Sequence, residues 1–474
     1  MPNGNKIPGD LDANLDDKID KNHDRKTRKW YIVLFIIFVF AMLGVGTVLV
    51  FGGTHWPIGK HTAYTGPKLI VISIDGLRFD MVAYNTTPNL ARMADEGIMS
   101  PLVPAYPSLT FPNHYSMMTG LLPNKHGIIG NRFADLSRGE SFDTRLDNCT
   151  SDASWLVHGE PIWTTLEREG GRAGIVHWVG AGCRFGGKRA KYAFPFRRHT
   201  HPEFVTDALI KLASIRGPKQ TPNLLMAYYS LVDSTGHRYG PESVQVQRAL
   251  GIIDKEIGRL RLFLSQKYPD TNLMVVSDHG FMTVKERIRL EDIWAGYEDS
   301  TMKAVCSPVT FLYPKLGVDV SGIVKRLKRQ IKRKHPGKIK VYTRESMPSE
   351  FDFTGLPGRI PKIILQAEPG IAIDCSANGD SANDSDSNML PKGDHGYDPK
   401  DPHMWAIFIA QGPAFMRDTL SLSKRINTKI KYTKGLPHTV DVYRVMANCL
   451  DLTVKSSLDS KARLENICFT KPFL

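Results

Sequence analysis

Apolar residues along this chain gather into short unbroken runs, separated by stretches of helical period. Leu69-Ile-Val-Ile-Ser-Ile74 is the clearest run, β-branched, continuous and closed by Asp75-Gly76. A run that is apolar at both odd and even positions reads as a strand covered on both faces, as in a parallel sheet. Similar runs lie at Gly174–Val179, Asn223–Tyr229, Asn272–Ser277 and Trp405–Ala410. Between them, apolar positions recur every three to four residues over Pro88–Asp95, Pro161–Glu169, Pro202–Ser214 and Glu242–Lys267. The alternation predicts an α/β fold, a mostly parallel sheet sandwiched by helices. No internal repeat is visible.

Two segments break the pattern. Over 320–345, Lys325, Arg326, Lys328, Arg329, Lys332, Arg333 and Lys334 surround Ile323, Val324, Leu327 and Ile331 at helical spacing. This predicts a half-buried surface helix with a solvated basic face; a patch for lipid headgroups or another polyanion is the alternative. Residues 376–393 are rich in Ser, Asn, Asp and Gly and predict a polar loop.

The longest apolar stretch lies earlier. Trp30 to Phe51 holds neither charge nor proline and slightly exceeds the roughly 20 residues that span a bilayer core. It is longer and later than the apolar part of a cleavable signal peptide, about 7–15 residues, so a signal anchor is expected. Arg25, Lys26, Arg28 and Lys29 precede it, whereas His55 and Lys60 are the first basic residues after it. The positive-inside rule then gives a single-pass type II topology. Residues 1–29 form a cytosolic tail, 30–51 the transmembrane anchor, 52–67 a linker and 68–474 the catalytic domain. That domain is extracellular or in the lumen of the secretory or vacuolar system. In the tail, Asp10, Asp12, Asn14 and Asp16 have calcium-loop spacing, but Leu15 stands where the turn needs Gly and Lys21 where the loop needs Glu, so a solvated tail is expected.

Composition supports this picture and narrows it. With 42% hydrophobic and 23% charged residues the chain is neither disordered, nor collagen-like, nor a multi-span membrane protein. The formal charge of +14 suits an anionic partner without naming one. All six cysteines follow the apolar span. An even count in an oxidising compartment suggests disulfides, and proximity favours 149–183, 306–375 and 449–468 among 15 connectivities. Sequons at Asn85, Asn148 and Asn383 lie on the same side and mark possible glycosylation.

The candidate chemistry sits at predicted strand ends. Asp75 closes the first strand. Asp233 and His237 follow the third, Asp278 and His279 follow the fourth, and His395 precedes the last. Ligands of open α/β sheets bind beyond the carboxyl ends of strands, so these residues should converge. Singly, each is an ordinary cap or turn residue. Together, crowded carboxylates need a cation, and mixed Asp/His ligation points to zinc or a similar transition metal. Six ligands are too many for one tetrahedral ion and suit two, about 4 Å apart, as in phosphoryl transfer. Ser108-Leu-Thr-Phe-Pro-Asn-His-Tyr115 looks like a helix start, with Pro112 in the first turn. Thr110 there is either a capping hydroxyl or a zinc-activated nucleophile.

Taken together, Val71-Ile-Ser-Ile-Asp-Gly-Leu-Arg78, Thr110-Phe-Pro-Asn-His-Tyr115, Gly120-Leu-Leu-Pro-Asn-Lys-His-Gly-Ile-Ile-Gly-Asn131, Asp233-Ser-Thr-Gly-His-Arg-Tyr-Gly-Pro241, Ser277-Asp-His-Gly280 and His395-Gly-Tyr-Asp398 resemble the ectonucleotide pyrophosphatase/phosphodiesterase family of the alkaline phosphatase superfamily. The resemblance spans about residues 68–455. It implies an alkaline phosphatase-like fold and two zinc ions per chain. Thr110 would be the nucleophile and bridge to one zinc held by Asp75, Asp278 and His279. Asp233, His237 and His395 would hold the other. Asn131 would stabilise the transition state beside the phosphoryl oxygens, and Phe111 and Tyr228 would sandwich a nucleobase. The implied activity is hydrolysis of nucleotide phosphoanhydride and phosphodiester bonds to nucleoside 5′-monophosphates through a threonine intermediate. Where many animal members carry an acidic stretch ending in proline, this chain has Ser230-Leu-Val232, and it lacks their nuclease-like and somatomedin-like domains. A phosphomonoesterase, a lipid-headgroup phosphodiesterase and a catalytically silent surface binding protein are the alternatives. No specific nucleic-acid partner is implied.

Overall fold

In a computed structural model, Leu69–Ile74 is a strand with all six residues buried. The structure describes residues 66–217, 219–297, 301–375, 392–415, 435–454 and 456–464. The expected tail, membrane anchor and most of the linker lie outside them, as do nearly all of the 376–393 loop, Asn383 and Cys468. Among the described residues no helix is long and apolar enough to cross a membrane.

The main sheet has seven strands in the order Ile98–Leu102, Ala406–Gln411, Asn272–Val276, Leu69–Ile74, Leu224–Tyr229, Ala173–Val176 and Tyr192–Phe194. The last five run parallel. Ala406–Gln411 is antiparallel to both of its neighbours. The five continuous apolar runs are all strands of this sheet, because each is covered on both faces as its pattern requires. Ile98-Met-Ser-Pro-Leu102, with a serine and a proline, did not read as a strand. It is the edge strand, where proline is tolerated.

The expected helices form within one or two residues of their predicted ends. Val244–Lys267 starts at Ser243, whose side chain accepts a hydrogen bond from the Val246 amide, and buries Val246, Ala249, Leu250, Ile253, Ile257, Leu260 and Leu264. Its buried Asp254 accepts from the Asn89 and Leu90 amides at 3.0 and 2.8 Å, so it caps the neighbouring Pro88–Glu96 helix.

A second sheet of four antiparallel strands runs Thr301–Val305, Val309–Pro314, Ile363–Ala367 and Ile339–Thr343. The basic helix, Val320–Lys334, buries Ile323, Leu327 and Ile331 in this lobe's core and leaves its cations outward. A disulfide joins Cys306 to Cys375, as proximity suggested. The other two expected pairs do not form: Cys183 and Cys449 are buried free thiols. Cys183 is instead within 3.2 Å of the Thr150 carbonyl oxygen. Asn85 and Asn148 are exposed.

Candidate active site and metal centre

The parallel pairing sets Ile74 beside Tyr229 and Ser73 beside Val276, so three adjacent strands end at one level. Asp75 follows the middle strand. Asp278 and His279 follow its neighbour on one side. On the other side a short turn enters the helix Leu231–Tyr239, which carries Asp233 and His237 one turn apart on one face. His395 arrives from the Gly393–Asp394 strand, which pairs with Met282–Thr283. All six predicted ligands therefore meet at the carboxyl edge of the sheet.

Their ligating atoms fall into two groups. His279 Nε2 lies 3.4 Å from Asp75 Oδ1, 3.2 Å from Asp278 Oδ2 and 3.3 Å from Thr110 Oγ1. Asp233 Oδ1 lies 3.4 Å from His237 Nε2 and 3.5 Å from His395 Nε2. Ligands 2.0–2.2 Å from a tetrahedral ion are separated by roughly 3.3 Å, so these are the edges of two tetrahedra sized for zinc. The stacked rings of His279 and His395, 3.6 Å apart, join the groups. Asp394 also comes within ligand distance of His237 and His395 and was not singled out in the sequence. Nothing distinguishes it there from the acidic residues of the adjoining polar loop.

The protonation states fit a cation. His237, His279 and His395 each direct Nδ1 to a backbone carbonyl, those of Gly393, Gly280 and Ser108, at 3.0, 2.9 and 3.0 Å. With Nδ1–H donating, each Nε2 keeps its lone pair, the tautomer a metal requires. Burial holds His279 down to about 3. Burial, and then His279, lower His395 as well. Asp75 Oδ1, Asp233 Oδ1 and Asp278 Oδ2 are buried without a hydrogen-bond partner. Burial, and then each other's charges, raise all three carboxyls well above their usual range. Three lone-pair nitrogens facing three orphaned carboxylate oxygens repel unless positive charge lies between them.

Thr110 opens the helix Thr110–Thr119, and Leu109 is the cap residue. The threonine side chain does not cap the helix, so the capping alternative fails. The approach is rigid. Asn113 Oδ1 accepts from the Ala105 amide at 2.7 Å, and Ser108 Oγ donates to the Tyr397 carbonyl at 2.7 Å. His114, assigned no role from sequence, lies beneath the centre. Its Nδ1 faces the Thr110 carbonyl at 2.9 Å and its Nε2 faces Ser73 Oγ at 2.9 Å, with Asp278 Oδ2 3.4 Å from Nδ1. Burial holds it down to about 4, so it is neutral.

Asn131 Oδ1 accepts from the Phe111 amide at 2.9 Å, which fixes both beside Thr110. The hairpin after Asn131 is pinned by a buried ion pair, Asp135 with Arg359 at 2.7 Å. Phe111 is half-buried against Phe142 and Tyr115. The Tyr228 ring is buried, and its hydroxyl donates to Asp75 Oδ2 in a short hydrogen bond. Thr110, Phe111, Asn131, Tyr228, Asp75 and Asp233 all line one cavity of about 1230 Å³. His237, Asp278, His279 and His395 stand behind that wall.

The family model for type I phosphodiesterase/nucleotide pyrophosphatase matches residues 69–398, well over half of the chain. The chain belongs to that family. It is a pyrophosphatase/phosphodiesterase hydrolase of the alkaline phosphatase superfamily. An uncharacterized pyrophosphatase/phosphodiesterase of Schizosaccharomyces pombe is 30% identical over 395 residues, covering 81% of this chain and 77% of the relative. A bis(5′-adenosyl)-triphosphatase of Mus musculus is 29% identical over 401 residues, covering 83% and 80%. The human ectonucleotide pyrophosphatase/phosphodiesterase 5 structure superposes with a TM-score of 0.71 at 26% identity, over 84% of this chain and 99% of that one. Its murine counterpart, an inactive threonine-to-alanine variant in complex with AMP, gives 0.72 at 24% identity and shares the fold. The family is metal-dependent, and the Asp/His clusters here can hold metal.

Proposed function

We propose that this chain is a dizinc nucleotide pyrophosphatase/phosphodiesterase that releases nucleoside 5′-monophosphates. The observation that carries the reading is the position of Thr110 Oγ1, 3.3 Å from His279 Nε2 and thus part of one tetrahedral ligand set. Asp75, Asp278 and His279 would hold one ion with Thr110, and Asp233, His237 and His395 the other. Zinc bound there supplies Lewis acidity, lowering the pKa of a hydroxyl and offsetting negative charge on the phosphoryl group. Thr110 Oγ1 attacks the α-phosphorus in line, forming a P–O bond as the bond to the leaving oxygen breaks. Asn131, fixed through the Phe111 amide, stands beside the phosphoryl oxygens. Water then cleaves the nucleotidyl-threonine and frees the monophosphate, so two easier displacements replace one difficult step. Phe111 offers a ring to a nucleobase. Tyr228 contributes first through its hydroxyl, which orients Asp75. The AMP complex of the murine relative and the triphosphatase activity in the mouse relative's name support a nucleotide substrate.

Turnover of the nitrophenyl ester of thymidine monophosphate, nitrophenyl phosphate and nitrophenylphosphorylcholine tests the reading. The nucleotide ester should lead in kcat/KM by at least about tenfold, since base–aromatic stacking is worth about 1–3 kcal/mol. A lead by nitrophenyl phosphate would favour a phosphomonoesterase, and a lead by the choline ester a lipid-headgroup enzyme.

We further propose the type II topology, with residues 1–29 cytosolic, 30–51 in the membrane, 52–67 a linker and 68–474 on the extracellular or lumenal side. The Cys306–Cys375 disulfide suits an oxidising compartment, and the exposed Asn85 and Asn148 suit glycosylation. In sealed vesicles, external protease should remove the N-terminal tail while the catalytic domain stays protected and sensitive to glycosidase after lysis. A protected N-terminus would reverse the topology.

A further inference from the structure

The cavity at the reacting centre is larger than the roughly 300–1,000 Å³ that pockets for drug-sized ligands occupy, and the excess is not neutral space. Part of its wall is the segment Pro195–Thr200, which leaves the edge strand Tyr192–Phe194 at the carboxyl side of the sheet. This segment is docked. The His177 amide donates to the Phe194 carbonyl at 2.8 Å, and the Phe196 ring lies 5.7 Å from both His177 and Tyr228. His177 and His199, both on the wall, have φ of 60° and 57°. Such a left-handed backbone persists in non-glycine residues only where the surroundings fix it, often at a ligand site.

The docked segment brings Arg197 and Arg198 to the wall, and Arg145 joins them from a neighbouring loop. Arg145 is oriented by Asp143, whose carboxylate accepts from Nη2 at 2.6 Å and from Nε at 3.0 Å. No ion pair among the described residues engages Arg197. His177 adds no charge, because burial and then the Arg197 guanidinium hold it down to about 4. Asp147 is the one carboxylate on this wall besides Asp75 and Asp233. The charge of the reacting phosphate is already met by the Asp/His centre and its cations. Cations further along the same wall match a second anionic group on the substrate.

We propose that Arg197 and Arg198, supported by Arg145, form a subsite for the phosphates beyond the reacting one, which makes nucleoside polyphosphates the preferred substrate class. The proposal rests on the nucleotide reading above. It predicts a difference between two substrates, ATP and the nitrophenyl ester of thymidine monophosphate, which carries a single phosphate charge. Both arginines are exposed, so the full-length R197A/R198A double variant should fold. Its kcat/KM for ATP should fall about 10–100-fold, as expected for losing two charge-assisted contacts, and for the ester by about twofold or less. R197K/R198K should recover most of the ATP activity, since a point charge still attracts phosphate. The salt dependence of ATP hydrolysis should flatten in the alanine variant. Equal losses on both substrates, or an undiminished rate on ATP, would overturn the subsite while leaving the nucleotide reading intact. A wild-type protein that cleaves neither substrate would defeat the nucleotide reading itself.

Discussion

Thr110→Ala should lower kcat by about three or more orders of magnitude, with bound metal close to that of the intact protein. The hydroxyl is the only Thr110 group directed at the centre, and alanine deletes it without disturbing the six Asp and His ligands. The fold should tolerate the change, because the Thr110 side chain caps no helix and the approach to it is held by Asn113 and Ser108. Loss of a nucleophile removes the covalent route entirely, so effects on this scale are the norm. Thr110→Ser keeps a hydroxyl in place and should retain partial activity. Rapid-quench capture of a nucleotidylated protein should succeed with the serine variant and fail with alanine. An alanine variant turning over at near the native rate would exclude Thr110 as the nucleophile.

The second large effect is expected at Asp233. Its Oδ1 faces both His237 and His395, so this one atom is common to two edges of a ligand set. Asp233→Ala should lower metal content from two ions per chain toward one, and activity by more than about 100-fold, the upper range seen when only a supporting partner of a ligand is removed. His279→Ala should do the same at the other set and also remove the nitrogen nearest Thr110. Chelation of the native protein should reproduce both losses and lower its melting temperature. Three crowded carboxylates then lack a counter-charge, and an ion at 1,000 times its dissociation constant contributes about 4 kcal/mol. Added zinc should restore the chelated protein. Full activity in a metal-free preparation would exclude the metal reading. Metal should also leave on acidification, as protons compete for the His Nε2 and carboxylate sites that must be unprotonated to bind it.

The central strands were legible because burial on both faces leaves no polar period to confuse with a helix. The ligands were legible because each follows such a run. Other features leave weaker marks. The edge strand Ile98–Leu102 carries a serine and a proline, and the four strands of the smaller lobe are short pieces between turns. The reversed direction of Ala406–Gln411 follows from chain routing and has no local signature. His114 stood within a quoted motif, but only the fold shows it joining Ser73, Thr110 and Asp278. Tyr228 was read as an open ring, whereas strand packing buries the ring and assigns its hydroxyl to Asp75. Proximity in sequence selected the correct partner for Cys306. It misled for Cys183 and Cys449, because neighbours along a chain need not have converging side chains.

The strand Ile98–Leu102 pairs only with Ala406–Gln411, which reaches the sheet late and lies between it and Asn272–Val276. On the ribosome, that edge waits through more than half of the chain for its partner, and Asp75 waits almost as long for His395. A nascent chain therefore carries an unpaired apolar strand and an incomplete ligand set while most of its length is already exported, the condition in which chaperone capture and edge-to-edge aggregation compete. Premature termination just past residue 398 would leave every predicted ligand in place and still produce a protein marked for degradation rather than a weakened enzyme.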